Sequence, residues 1–222
     1  YFRKYNHNKM TFGLTYFTSE NYILVLSHDE VVHLKCSMIN KMPGIYEDKF
    51  ANLKCGYTFM LGHPGKKLLF MGQDFGQWHE WDEKVSLDWH LTQEEQHHSL
   101  QSYVRDLLHL YKKYPALYSL DNDWNGFEWI NANDGDRSIF SFIRRDETGK
   151  KNLLFVINFT PMERSDYRVG VPKKGNYNLV LNSQEGLLPK AVPYKAEKGE
   201  CDGQPYAVAY PLPPYGTAVF RF

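Results

Sequence analysis

Two short apolar runs limit what this chain can fold into. Ile23-Leu24-Val25-Leu26 and Leu68-Leu69-Phe70-Met71 are four residues each and show no alternation of apolar and polar positions. Runs of that kind suit strands covered on both faces, as in a parallel sheet flanked by helices. The first stops at Ser27-His28-Asp29-Glu30, which puts an imidazole and two carboxylates at its carboxyl end. In parallel α/β architectures that end carries binding and catalytic groups, so Asp29 is the first candidate for a chemical residue.

The chain between and around these runs reads as helix. Met10, Leu14 and Phe17 have a loose helical spacing. Phe50, Leu53, Tyr57, Met60 and Leu61 form a stripe with three- and four-residue steps, and Gly62-His63-Pro64-Gly65 ends it. Thr92 to Glu95 spells a capping box, predicting a helix whose apolar face is Leu100, Tyr103, Val104, Leu107, Leu108 and Tyr111, with His97-His98 solvated. The order to about Pro115 is therefore helix, strand, helix, strand, helix.

After Asp121 the pattern changes. Short β-rich runs at 127–130, 138–144, 153–159, 167–171, 177–181, 206–210 and 217–222 are separated in several places by turn clusters such as Asn133-Asp134-Gly135-Asp136. This predicts an antiparallel sandwich, with residues 190–204 as a long loop. The expected domains are 1–117 and 118–222. Two parallel strands and three helices leave open edges, and a barrel of eight such units needs ~250 residues, so residues 1–117 read as the tail of a larger α/β domain.

The totals exclude some classes. Lys plus Arg and Asp plus Glu both number 26, so no basic surface for nucleic acid or anionic membrane is implied. No apolar run approaches a membrane span. Three cysteines without Cys-x-x-Cys spacing argue against a disulfide framework or zinc, and so for a reducing, cytoplasmic setting with no metal. No cofactor is expected. Trp78, Trp81 and Trp89 could line a sugar path, although packing is the commoner use of such rings.

The motifs then line up with a family. Leu26-Ser27-His28-Asp29-Glu30-Val31-Val32-His33, Lys41-Met42-Pro43-Gly44, Lys49-Phe50-Ala51-Asn52-Leu53 and His63-Pro64-Gly65-Lys66-Lys67-Leu68-Leu69-Phe70-Met71-Gly72 resemble the glycogen branching enzymes, the 1,4-α-glucan branching enzymes of the α-amylase superfamily. Gln73-Asp74-Phe75-Gly76-Gln77, Glu80-Trp81, Leu87-Asp88-Trp89, Phe127-Glu128-Trp129-Ile130 and Asn158-Phe159-Thr160-Pro161 continue the resemblance in order. It implies that residues 22–26 and 67–71 are strands seven and eight of a (β/α)8 barrel, followed by a C-terminal β-sandwich. It also implies transfer of a cleaved α-1,4 chain to a 6-hydroxyl of α-glucan.

Within that resemblance Asp29 is the third catalytic carboxylate, a transition-state stabiliser, and His28 binds sugar. Glu30 and Asp74 would act from behind the site. Asp74 stands where the family commonly has Glu, Leu34 where a Gly is expected, and 182–186 departs from the usual sandwich sequence. The nucleophilic Asp and the acid/base Glu belong to strands four and five. The expected partners are therefore α-glucan and the N-terminal part of the same enzyme, and the chain alone is expected to be inactive. The alternatives are a superfamily hydrolase that passes the intermediate to water, and a non-catalytic glucan-binding module.

Overall fold

The computed structural model describes residues 2–222. Helix α1 (His7–Thr11) runs on into a 3-10 turn and leads to strand β1 (Ile23–Leu26). Helix α2 (Tyr46–Gly62), strand β2 (Lys66–Leu69) and helix α3 (Glu95–Lys113) follow. β1 and β2 pair in parallel, from Ile23 opposite Lys66 to Leu26 opposite Leu69. The expected burial on both faces is not observed. Leu24, Leu26 and Leu69 pack on the helices, whereas Ile23 and Val25 are about half exposed (54% and 51%). A two-stranded sheet has helices against one face only, so alternate residues are left to solvent.

Nine strands follow: β3 (Phe127–Asn131), β4 (Ile139–Arg144), β5 (Leu153–Asn158), β6 (Arg168–Val171), β7 (Asn176–Asn182), β8 (Gly186–Lys195), β9 (Glu197–Cys201), β10 (Gln204–Ala209) and β11 (Thr217–Arg221). They form an antiparallel six-stranded sheet in the order β3-β4-β5-β11-β7-β8 and a three-stranded sheet in the order β6-β10-β9. Residues 190–204 are not a loop: they carry most of β8 and all of β9. Both are edge strands, where Pro189 and Pro193 are tolerated and one side chain in two can be polar.

The six-stranded sheet is buried on both faces. Along β5, Leu153, Phe155 and Ile157 face α2 and α3, while Leu154 and Val156 face the three-stranded sheet. In β7 both Leu179 and Leu181 should share a face, but a bulge at this point turns Leu181 toward the helices and Leu179 toward the small sheet. Helix α2 is consequently enclosed well beyond its predicted stripe, with Asn52, Cys55, Thr58 and Phe59 also buried. Its last residue, Gly62, presses on the sheet so closely that a Cβ there would lie 2.8 Å from the rings of Phe142 and Phe155.

Two local expectations at α3 are corrected. No capping box forms: residues 89–93 make a 3-10 turn, the Thr92 hydroxyl donates back to the Trp89 carbonyl (2.7 Å), and the helix starts at Glu95. His97 is not solvated. It lies three and seven residues before Leu100 and Val104 on the buried face, and Nδ1 is 2.7 Å from the Phe75 carbonyl. His98 is exposed as expected.

A fully buried arginine joins the helices to the sheet. Arg144, at the end of β4, donates from Nη1 to the Gly62 carbonyl at the carboxyl end of α2 (2.7 Å) and from Nε to the Gly126 carbonyl (3.2 Å). Its Nη2 meets Asp121 Oδ1 at 2.8 Å, and Lys66 Nζ holds Asp121 Oδ2 at 2.9 Å. Close by, the Lys67 amine donates to the His63 and Gly65 carbonyls; burial, then the charge of Arg144, pulls its pKa down to about 7. Removing one partner of a buried ion pair strands the other, at a cost of ~3–5 kcal/mol. Arg144→Met should therefore lower unfolding stability by about that amount, read from urea denaturation. Arg144→Lys should recover little of it, since an ammonium cannot reproduce a fork that reaches three partners. A loss below about 1 kcal/mol for Arg144→Met would show that the pair holds nothing together.

Candidate active site

The main chain leaves β1 at Leu26 and turns at once, because Ser27 is extended and His28–Glu30 forms a 3-10 turn. This sets the His28 and Asp29 side chains side by side, with His28 Nε2 3.3 Å from Asp29 Oδ1. The Ser27 hydroxyl donates to Asp29 Oδ2 (3.4 Å), and Lys35 Nζ donates to the Asp29 main-chain oxygen (2.8 Å). The Asp29 side chain is 70% exposed and that of His28 54%. The carboxylate is thus held from below and open above.

The segment after β2 backs this turn. The Phe70 ring lies 5.9 Å from His28 and 5.1 Å, edge-on, from Trp81. The Trp81 amide donates to the Val31 carbonyl (3.0 Å), and the Asn40 amide donates to the Trp78 carbonyl (2.7 Å). Glu80 clamps the two segments together: its carboxylate accepts from the Leu34 amide at 3.0 Å and from the Cys36 amide. Only about 10 Å³ remains open between the segments, too little for a sugar.

Glu30 and Asp74 contact neither His28 nor Asp29 by a hydrogen bond or ion pair and have partners of their own. Glu30 makes a 3.8 Å ion pair with Lys41. Asp74 accepts from Gln101 of α3 at 3.3 Å. Trp78 packs among Tyr46, Phe50 and His97, and Trp89, 54% exposed, tilts over Phe75. Glu80 is the positioning residue that sequence reasoning passed over. The motif Glu80-Trp81 was visible, but nothing in it shows that the side chain folds back onto amides 44 and 46 residues earlier. Cys36, Cys55 and Cys201 are free thiols, and among the described residues no three His, Cys, Asp or Glu side chains come together as a metal site.

Residues 129–222 match the model of the alpha amylase C-terminal all-beta domain, in agreement with the antiparallel sheets. Two solved structures share the fold: an alpha-amylase from H. orenii (TM-score 0.56, 15% identity, 90% of this chain and 39% of that one) and a GBS pullulanase, SAP, in complex with maltotetraose (TM-score 0.59, 14% identity, 79% and 28%). The C-terminal part of the chain is therefore an all-β domain of the alpha amylase type, on a fold shared with both structures.

Sequence similarity is far closer to one group within it. The chain is 57% identical to the 1,4-alpha-glucan branching enzyme GlgB of Butyrivibrio fibrisolvens over its whole length. It is 47% identical to that of Geobacillus stearothermophilus and 45% identical to that of Aquifex aeolicus, over 99% of the chain in each case. It is homologous to the C-terminal part of these branching enzymes, and it spans about a third of their length (36%, 35% and 36%).

Leu34 stands where the family resemblance leads one to expect Gly, and its left-handed backbone suits one. His33, Leu34 and Cys36 all adopt left-handed conformations (φ 56°, 64° and 67°), which aim the amides of Leu34 and Cys36 at Glu80. The Leu34 side chain is 94% exposed and packs on almost nothing. A left-handed residue with a Cβ costs ~1–2 kcal/mol, and Gly gives back ~0.5–1 kcal/mol in chain entropy. Leu34→Gly should therefore raise stability by up to about 1 kcal/mol, seen as a higher urea midpoint at unchanged slope. A lower midpoint would count against the strained turn.

Proposed function

We propose that this chain is the C-terminal part of a 1,4-α-glucan branching enzyme acting on α-glucan, with β1 and β2 as the seventh and eighth strands of a (β/α)8 barrel. On this reading residues 1–117 close the barrel and residues 118–222 form the C-terminal sandwich domain. The observation that carries it is the 57% identity over the whole chain to one such enzyme, joined to a His28-Asp29 pair at the carboxyl end of a parallel strand.

The reaction is retaining. A carboxylate attacks the anomeric carbon of an α-1,4-linked unit while an acid protonates the leaving oxygen, and a covalent glycosyl-enzyme forms. A 6-hydroxyl of another chain then takes the glycosyl group in place of water and loses its proton to the acid's conjugate base. Asp29 accepts hydrogen bonds from sugar hydroxyls next to the anomeric carbon. Its charge opposes the positive charge that grows on the ring, so it contributes most in the transition state. His28 orients the same sugar, and Phe70 supports the imidazole. Glu30 and Asp74 act on the scaffold, through Lys41 and Gln101. The nucleophile and the acid/base come from the N-terminal part of the same enzyme, which also shields Asp29 from bulk water and so strengthens its field.

In the full-length enzyme, Asp29→Asn should lower kcat by about 10²–10³, equivalent to ~2.7–4 kcal/mol, with the fold intact by circular dichroism. Retention of more than about a tenth of wild-type turnover, a loss below ~1.4 kcal/mol, would remove Asp29 from this role. Product analysis reads the acceptor: new α-1,6 linkages mark branching, and reducing ends alone mark hydrolysis.

The polypeptide 1–222 by itself should form no α-1,6 linkages from amylose. Measurable branching by that polypeptide would overturn the division of the catalytic groups.

A further inference from the structure

The loop that follows the Asp29 turn bends back on itself, and Lys35 stands at the point of return. It lies between Leu34 and Cys36, whose amides both donate to the Glu80 carboxylate. Left-handed backbone at His33, Leu34 and Cys36 (φ 56°, 64° and 67°) turns those amides to one side. Amides so arranged make an anion-binding concavity, and here the anion is the protein's own carboxylate. The Lys35 side chain points elsewhere. Its Nζ donates to the main-chain oxygen of Asp29 at 2.8 Å, and its amide donates to the Val32 carbonyl at 3.3 Å.

The other supports of this turn act to either side of the Asp29 peptide. The Glu30 and Val31 amides donate to the Ser27 and His28 carbonyls (3.2 and 2.9 Å), which closes the 3-10 turn within residues 27–31. The Trp81 amide reaches the Val31 carbonyl (3.0 Å), two residues beyond Asp29. Lys35 grips the Asp29 carbonyl itself from across the loop. That carbonyl and the carboxylate hang from the same Cα, so a shift of the peptide swings the carboxylate with it. Residues other than glycine persist in left-handed conformations only where their surroundings over-determine them. Glu80 supplies that constraint, and without it the 33–36 turn relaxes and carries Lys35 away. Lys35 is exposed, so its hydrogen bond adds little to stability; what it fixes is position.

We propose that Glu80 and Lys35 are positioning residues for Asp29 and act in series. Glu80 fixes the 33–36 turn, the turn aims Lys35, and Lys35 holds the Asp29 peptide where its carboxylate meets the sugar ring. The proposal rests on the role given to Asp29 above. Neither side chain is required to touch substrate. Both act through the placement of a charge that has to be in position before the ring becomes cationic, and a misplacement of ~1 Å at such a group can cost about 10²-fold in rate.

The test is a double-mutant cycle in the full-length enzyme, read as kcat and KM for branching of amylose. Lys35→Met keeps the aliphatic stem and removes the donor; it should lower kcat about 5- to 20-fold, with KM within about twofold and the thermal midpoint little changed. Glu80→Ala should lower kcat about 10- to 100-fold. The double variant should lie within about twofold of Glu80→Ala alone, because both changes interrupt one line of support. A kcat for Lys35→Met within about twofold of wild type would overturn the proposal, and so would losses that multiply in the double variant. Lys35→Met decides the matter by itself if Glu80→Ala does not fold. A wild-type enzyme that forms no branches counts against the functional reading, whereas a branching wild type matched by Lys35→Met counts against the positioning alone.

Discussion

A guanidinium with no exposed surface has to be paired on every side, and the pairing of Arg144 decides how the molecule is assembled. Its three partners come from different parts of the chain: the carbonyl that ends α2, the carboxylate of Asp121 in the connection after α3, and the carbonyl of Gly126 leading into β3. Each is a group that would otherwise be buried unpaired. The negative end of the α2 dipole adds to the attraction. Around this point the apolar faces of α2 and α3 close over Phe142, Phe155 and Val219, and a chain of hydroxyls from Thr58 through Tyr103 to Thr217 crosses the same boundary (2.7 and 2.9 Å). The helical part and the sheet are therefore not two cores joined by a linker. The six-stranded sheet has one face for each neighbour, and neither face can be left open without exposing rings of phenylalanine.

Much of this was legible in the sequence, for identifiable reasons. The stripe of α2 and most strands of the sandwich show up because their side chains repeat with the period of the element, and the two apolar tetrapeptides show up by composition alone. What escaped lacks that repeat. β8 and β9 are polar edge strands with two prolines, and they look like loop because half of their surface is solvent. His97 looks solvated because its neighbours in sequence are polar; its burial follows from the position of a whole helix against Phe50 and Trp78. The capping box is a local pattern that a local competitor, the 3-10 turn at 89–93, defeats. Arg144 carries no sequence signal at all, since a charged residue closing a strand is ordinarily exposed.

The candidate site was legible in a different way. The position of Asp29 after a buried-type strand pointed to it, and the His28 contact and the support from Phe70 and Trp81 fit that placement. Geometry adds a limit that the motif could not give. A carboxylate 70% exposed sits in high dielectric, where its field on a cationic ring is weak. The chemistry proposed for it needs surrounding groups that exclude water, and the exposed faces of Ile23 and Val25 are where further structure would have to pack. The strain held at His33, Leu34 and Cys36 has a use on the same view. It lets one side chain, Glu80, fix the loop that carries Asp29 to the loop that carries Trp81.

Asp121 ties these observations together. One of its oxygens faces Arg144 and so the sheet; the other faces Lys66 and so the first residue of β2. The same carboxylate closes the buried core and holds the amino end of β2 to the connection after α3. Its loss would release a buried guanidinium and an exposed amine at once, and the first carries nearly all of the cost, because the amine returns to water.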